Sequence, residues 1–261
     1  MPSEELPSRD QAALVKAKGL LESPGLVAKV TNYIGTPIEM ALEYLPHGWQ
    51  TKLDVGIRDA LTVALKAALL TMGKTETESY PTWHKIAAAL SGAVGGAFGL
   101  PALIIELPVS TTIILRSIAD TARANGEDLV NPEPQLACLE VFALGGPSKG
   151  DDAADGGYFA VRIALGKAVQ EAAQYMAEKI VVEEVAPALA RLISLIAVRL
   201  QGPIAAKAAA QAVPVLGAAA GAVINLMFID HFQDMAEGHF TVRRLERKYG
   251  KIAIRKAYDA I

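Results

Sequence analysis

A chain of 261 residues with 25 basic and 28 acidic side chains carries a formal charge of -3, which excludes a globally basic nucleic-acid binder. Hydrophobic residues make up 52% but aromatic ones only 6%, and the mean hydropathy of +0.29 is high for a soluble protein. The single cysteine, Cys138, excludes an intrachain disulfide or a multi-cysteine zinc site and fits a reducing compartment.

That length suits one large domain or two small ones. Alanine supplies much of the apolar count and alternating β-branched runs are nearly absent, so the class read from the sequence is all-α. The start, MPSEELPSRD, is acidic and lacks the basic and apolar regions of a secretory signal. Arg9 to Leu21 reads as a short surface helix ended at Ser23-Pro24-Gly25. Thr36-Pro37-Ile38-Glu39 has the form of a capping box with proline at the first helical position. Thr51 to Met72 is amphipathic, with Leu53, Ile57, Leu61, Leu65 and Ala68 on one face and Gly73 placed as a C-cap. The polar loop KTETES follows, and helix resumes around Pro81.

Asn131-Pro132 opens another helix, PEPQLACLEVFAL, stopped by Gly145-Gly146-Pro147. Cys138 within it reads as a core residue rather than a nucleophile. The acidic, glycine-bearing segment 148–157 is the expected flexible loop. Helix is expected from Tyr158 to Leu200 with a break at Pro187, a turn at Gly202-Pro203, and a basic segment capped by Thr241. The division expected is N-terminal helices over 1–48 and one helical domain over 49–261.

Two uncharged runs, 86–105 and 208–229, each have about the 20 residues needed to span a bilayer. Gly92 with Gly96, and Gly217 with Gly221, have the small-residue spacing of close helix contacts. Alanine and glycine are poor lipid-facing residues, and Pro101, Gln211, Pro214 and Asn225 interrupt the runs. The reading preferred is therefore a multi-helix bundle with these two Ala/Gly-rich helices packed centrally. Reversible insertion in a membrane is the alternative.

Beyond the first run, Glu106, Ser110, Thr111, Arg116, Asp120 and Arg123 form the candidate polar site. Ser110 or a neighbouring threonine is placed to cap a helix starting near Pro108, and Arg116, Asp120 and Arg123 have helical ion-pair spacing. No GxSxG elbow surrounds the hydroxyls and no catalytic motif assigns a reaction. His231, Asp234 and His239 are the weak metal candidates, with neither an HExxH pair nor a repeated Glu-x-x-His. No cofactor is expected. The C-terminal segment places Val242, Leu245, Tyr249 and Ile252 on one stripe and Arg244, Lys248, Lys251 and Arg255 on another, with Gly250 placed to interrupt the helix. Such a basic stripe suits an anionic membrane surface.

The blocks ELPVSTTIILRSIADTARANGEDL, LACLEVFALGG, VPVLGAAAGAVINLMF and GHFTVRRLERKYG, in this order, resemble the bacterial EcsC protein family from about Trp49 to the C-terminus. The matching positions are Glu106, Pro108, Thr111, Arg116, Asp120, Gly126, Pro214, Gly217, Gly221, Asn225, His239, Phe240, Arg243, Leu245 and Glu246. The resemblance implies a mostly helical cytoplasmic or membrane-associated protein, in a family founded on a gene product encoded beside an ABC transporter and without an established activity. The expectation is a helical interaction module in the cytoplasm, peripheral to the inner membrane, whose partner is an anionic lipid or a membrane protein. A hydrolase of lipid or peptide centred on Glu106, Arg116 and Asp120, or a soluble lipid carrier, are the alternatives.

Overall fold

The computed structural model describes residues 6–35, 48–71, 100–145, 157–178, 186–212 and 217–261. Among these there are nine α-helices and no strand, and the bundle is all-α as the composition predicts. The helices are α1 (Ser8–Leu21), α2 (Leu26–Ile34), α3 (Trp49–Thr71), α4 (Leu100–Ala124) and α5 (Pro132–Glu140, extended by one 3-10 turn at Val141–Ala143), followed by α6 (Tyr158–Glu178), α7 (Pro187–Ala212), α8 (Gly217–Tyr249) and α9 (Lys251–Asp259).

Helix α8 is the axis of the bundle. Its 33 residues correspond to about 50 Å at 1.5 Å per residue, and it packs against α1, α2, α4, α7 and α9. The stripe expected on α3 is the buried one: Leu53, Ile57, Leu61, Leu65 and Ala68 all face the core. At Gly56 the α3 backbone meets α4 closely, since a Cβ there would lie 3.6 Å from Leu107 Cδ1.

Three expected helix boundaries do not exist. Pro108 lies inside α4, which runs unbroken from Leu100, so Ser110 is not its cap. Instead Ser110 Oγ donates to the Leu107 carbonyl at 3.2 Å and Thr112 Oγ1 to the Pro108 carbonyl at 2.7 Å. Similarly, Gly202-Pro203 is interior to α7, and Thr241 is buried in mid-α8. An interior proline costs about 3 kcal/mol. Burial on both sides of each offsets it: Leu103, Leu107, Ile114, Leu115 and Ile118 flank Pro108, while Ile196, Leu200 and Ile204 carry the core face of α7 past Gly202.

Gly250 does end α8, with a φ of 88° that favours glycine. Past it the expected apolar stripe fails: Val242 and Leu245 are buried, Tyr249 is half-buried, and Ile252 is 87% exposed. The turn rotates α9 so that Ile254 and Tyr258 face inward instead.

The 36–39 capping box, Gly73, the KTETES loop, Pro81, Gly92 and Gly96, and the loop from 148 to 156 lie outside the described residues, as do residues 86–99 of the first apolar run. Of the second run, Ala208, Ala209 and Ala210 are fully buried. Among the described residues, the segment long and apolar enough to cross a membrane by length and composition is Pro187–Ala210 of α7, and 44% of its most apolar window is buried.

Candidate functional site

The polar residues of the first candidate stretch part company in space. Glu106, Ser110 and Thr111 are all buried on α4, and Glu106 and Ser110, four apart, lie about one turn from each other on one face. Arg116 is exposed, and the ion pair formed on this helix is Asp120 with Arg123 at 2.9 Å rather than with Arg116. Chain spacing allows either pairing; burial on the two sides of α4 selects between them.

The inner face holds a site that sequence spacing could not assemble. Lys207 of α7, 1% exposed, donates from Nζ to Glu106 Oε1 at 2.7 Å. Asn225 of α8, 2% exposed, donates from Nδ2 to the same oxygen at 2.7 Å. Three helices thus converge on one carboxylate oxygen, while Glu106 Oε2 is buried without a hydrogen-bond partner. Burial pulls the Lys207 ammonium below the usual lysine range, and the charge and hydrogen bond of Glu106 oppose that shift. The ammonium also lies 5.5 Å from the centroid of the Phe228 ring. Beside this trio is a cavity of about 20 Å³, lined on its polar side by Ser110, Thr111, Lys207 and Asn225 and on its apolar side by residues that include Phe142, Ile204, Phe228 and Phe232. Lys207 carried no signal in the sequence beyond being a lone charge in an alanine-rich stretch, IAAKAAA.

A second buried cluster surrounds His239. Its Nδ1 is 3.0 Å from the Tyr158 hydroxyl, and its Nε2 is 4.0 Å from Glu140 Oε2. Burial and the nearby guanidinium groups of Arg162 and Arg243 hold the imidazole neutral, so this approach to Glu140 is not an ion pair. Burial pushes the Glu140 carboxyl up to about 7, against the pull of Arg162 and Arg243. Arg162 in turn grips Glu246 through two hydrogen bonds of 2.8 and 2.9 Å.

His231 is not part of that cluster. It is buried against Gly145 and ring-stacks edge-on with Phe232, and burial lowers its pKa to about 4. Among the described residues no group of three His, Cys, Asp or Glu side chains is arranged to hold a metal, so His231, Asp234 and His239 do not form a metal centre. Cys138 is fully buried and its thiol is pushed far up by desolvation, as a core cysteine should be.

The basic stripe is divided by Gly250. Arg244 and Lys251 are exposed, Lys248 donates to Asp10 of α1 at 2.7 Å, and Arg255 donates to Asp259 at 2.7 Å. Arg255 also lies over the ring of Phe159 with Cζ 4.4 Å from the centroid, which fixes α9 against the first turn of α6.

The EcsC protein family covers residues 26–245, and the chain belongs to it. The match begins earlier than the sequence blocks suggested and includes α2. No curated protein and no solved structure matches the chain.

Proposed function

We propose that this EcsC-family chain is a membrane-associated helical interaction module, peripheral to the inner membrane of a bacterial cell, which docks on anionic lipid through the outer face of α9 and the adjoining turn of α6. The observation that carries the reading is a pair of large apolar side chains set among cations. Ile252 is 87% exposed and Ile163 is 74% exposed. Lys251, Arg255 and Lys256 stand in solvent on the same short helix as Ile252. Arg255 stacks on Phe159, and each isoleucine is exposed about one turn from that contact on its own helix, Ile163 one turn on from Phe159 and Ile252 one turn before Arg255.

The magnitudes suit reversible binding. Removing two isoleucine side chains from water contributes about 3–4 kcal/mol at partial burial. Three basic groups near an anionic surface add about 1 kcal/mol each, less for Arg255, whose charge is shared with Asp259. A total near 6–7 kcal/mol corresponds to a dissociation constant of roughly 10–50 μM. Neither contribution suffices alone, which is the two-signal logic of reversible anchoring.

The reading is tested by vesicle flotation. The protein should float with anionic vesicles and not with zwitterionic ones, and it should be released as salt shortens the Debye length to about 3 Å at 1 M. Ile163→Ser with Ile252→Ser should remove most binding, as should glutamine at Lys251, Arg255 and Lys256. A wild-type protein that stays unbound with both kinds of vesicle defeats the reading.

A further inference from the structure

An ammonium taken into a core brings three N–H donors with it, and each needs an acceptor. Lys207, 1% exposed, donates from Nζ to Glu106 Oε1 at 2.7 Å, the one hydrogen bond it makes among the described residues. The remaining two N–H bonds diverge from that one at the tetrahedral angle and so point away from Glu106. Nζ also lies 5.5 Å from the centroid of the Phe228 ring, and Phe228 is a wall of the cavity that Lys207 itself lines. The charged end of the side chain therefore stands at the cavity. An aromatic face attracts that charge but does not replace a hydrogen-bond acceptor.

Size and lining then define the occupant. The cavity of about 20 Å³ exceeds the roughly 10–15 Å³ that one water requires, and leaves little more. Its polar wall on α4 is Ser110 and Thr111. Ser110 Oγ spends its proton on the Leu107 carbonyl at 3.2 Å and keeps its lone pairs, while a threonine hydroxyl both donates and accepts. A water placed here accepts from Lys207, donates to Ser110 and has Thr111 as a third partner, within the roughly two to four partners of a typical buried water. Charge excludes the other small occupants. A cation is repelled by the ammonium, and a halide is larger than water and adds a net charge to a Glu106–Lys207 pair that is already neutral.

We propose that this cavity is a binding site for a single water molecule, which accepts from the Lys207 ammonium of α7 and bridges it to the Ser110 and Thr111 hydroxyls of α4. The water is a component of the core: it completes the solvation of the ammonium and adds a second link between two helices that already meet through Glu106. It is independent of the docking surface on α6 and α9.

A high-resolution crystal structure of the full chain, grown from a bromide salt, is the test. One peak of water strength should stand at about 2.7–3.2 Å from Lys207 Nζ and from the Ser110 or Thr111 oxygen, with no anomalous signal at the bromine edge. The double variant Glu106→Gln with Lys207→Met nearly keeps the side-chain volumes and removes the ammonium, so the peak should be lost from it. In solution, oxygen magnetic relaxation dispersion counts long-lived buried waters, and that variant should show one fewer than the parent. Should it fail to fold, Ser110→Ala with Thr111→Val leaves the ammonium in place and removes the hydroxyl partners, and the count should again fall by one. An empty cavity in the parent crystal, an anomalous bromide peak in it, or a water count unchanged in either folded variant would each overturn the assignment.

Discussion

Separating Glu106 from Lys207 by mutation should be among the most damaging single changes the described core allows. Lys207 is 1% exposed and Glu106 6%, so each charge relies on the other, and Glu106 also on Asn225, for the solvation it gave up. Removing one partner of such a buried pair strands the other and costs about 3–5 kcal/mol, whereas removing both and keeping the volume can be close to neutral. Lys207→Met alone should therefore lower the unfolding free energy by about 4 kcal/mol, and Glu106→Gln by slightly less, because glutamine can still accept through its carbonyl. For a chain of this size that corresponds to a drop of roughly 8–16 °C in Tm. The double variant should recover more than half of the loss, giving a coupling energy of at least about 2 kcal/mol. Urea unfolding of the four proteins, followed by far-ultraviolet circular dichroism, measures the cycle. Two single losses below about 1 kcal/mol, or losses that simply add, would falsify the claim that the pair is desolvated and mutually dependent.

Three further outcomes follow from particular contacts. Gly238→Ala should loosen α1 from α8 at a cost of about 1–3 kcal/mol, because the new Cβ would lie 2.7 Å from Leu21 Cγ and 3.0 Å from the Ala17 carbonyl; proteolysis within α1 should accelerate with the drop in Tm. Gly145→Ala should cost at least as much, since its φ of 74° disfavours a side chain and the Cβ would fall 2.6 Å from His231 Cε1, which thermal melts would show. Glu140, with its folded pKa raised from 4.5 to about 7 by burial, holds its proton in the folded state while the unfolded chain releases it, so its contribution falls as pH rises from about 4.5 to 7 and is flat above. Relative to wild type, Glu140→Gln should thus gain about 3 kcal/mol between pH 4.5 and 8, read as the difference of two stability-pH curves. The opposing slopes from His231 and His239, whose pKa values burial lowers, cancel in that difference, and Arg162, Arg243, Glu133, Glu246 and Tyr158 are common to both proteins. Parallel curves would mean that Glu140 is ionised in the fold.

Legibility from the sequence followed the range of the interaction concerned. The stripe on α3 was readable because Leu53, Ile57, Leu61, Leu65 and Ala68 repeat at helical spacing within one element, and local periodicity reports which face is buried. Pro108, Pro203 and Thr241 were misread as boundaries because their local cost is real but smaller than the burial on either side. Glu106, Ser110 and Thr111 belong to the six-residue candidate polar site, with Glu106 expected before the cap of a helix starting near Pro108; the structure instead buries all three within α4. Their partners Lys207 and Asn225 are 101 and 119 positions away, where no spacing rule applies. The same limit explains Arg116: its tie to Asp120 was an inference from spacing alone, and three residues further on Arg123 has the same reach.

The two ends of the chain bear on how the proposed surfaces relate to the family. The match to the EcsC family spans 26–245, and it contains the Glu106, Lys207 and Asn225 trio together with the His239 cluster. Helices α1 and α9 lie outside it and are fastened to each other and to the end of α8. Lys18 Nζ donates to the Tyr258 carbonyl at 3.0 Å, while Asp10 accepts from Lys248 at 2.7 Å and from the Tyr249 hydroxyl at 2.6 Å. Asp10 thereby neutralises one member of the basic stripe and pins the turn that points Ile252 outward. The face proposed to dock on lipid thus rests partly on contacts outside the matched span, made by Asp10, Lys18 and α9, and partly on Phe159 and Ile163 within it, whereas the buried trio lies wholly inside the matched span. The proposed lipid-docking surface and the mutual dependence of the buried Glu106, Lys207 and Asn225 trio are therefore tested separately, the first by vesicle flotation and the second by the double-mutant cycle.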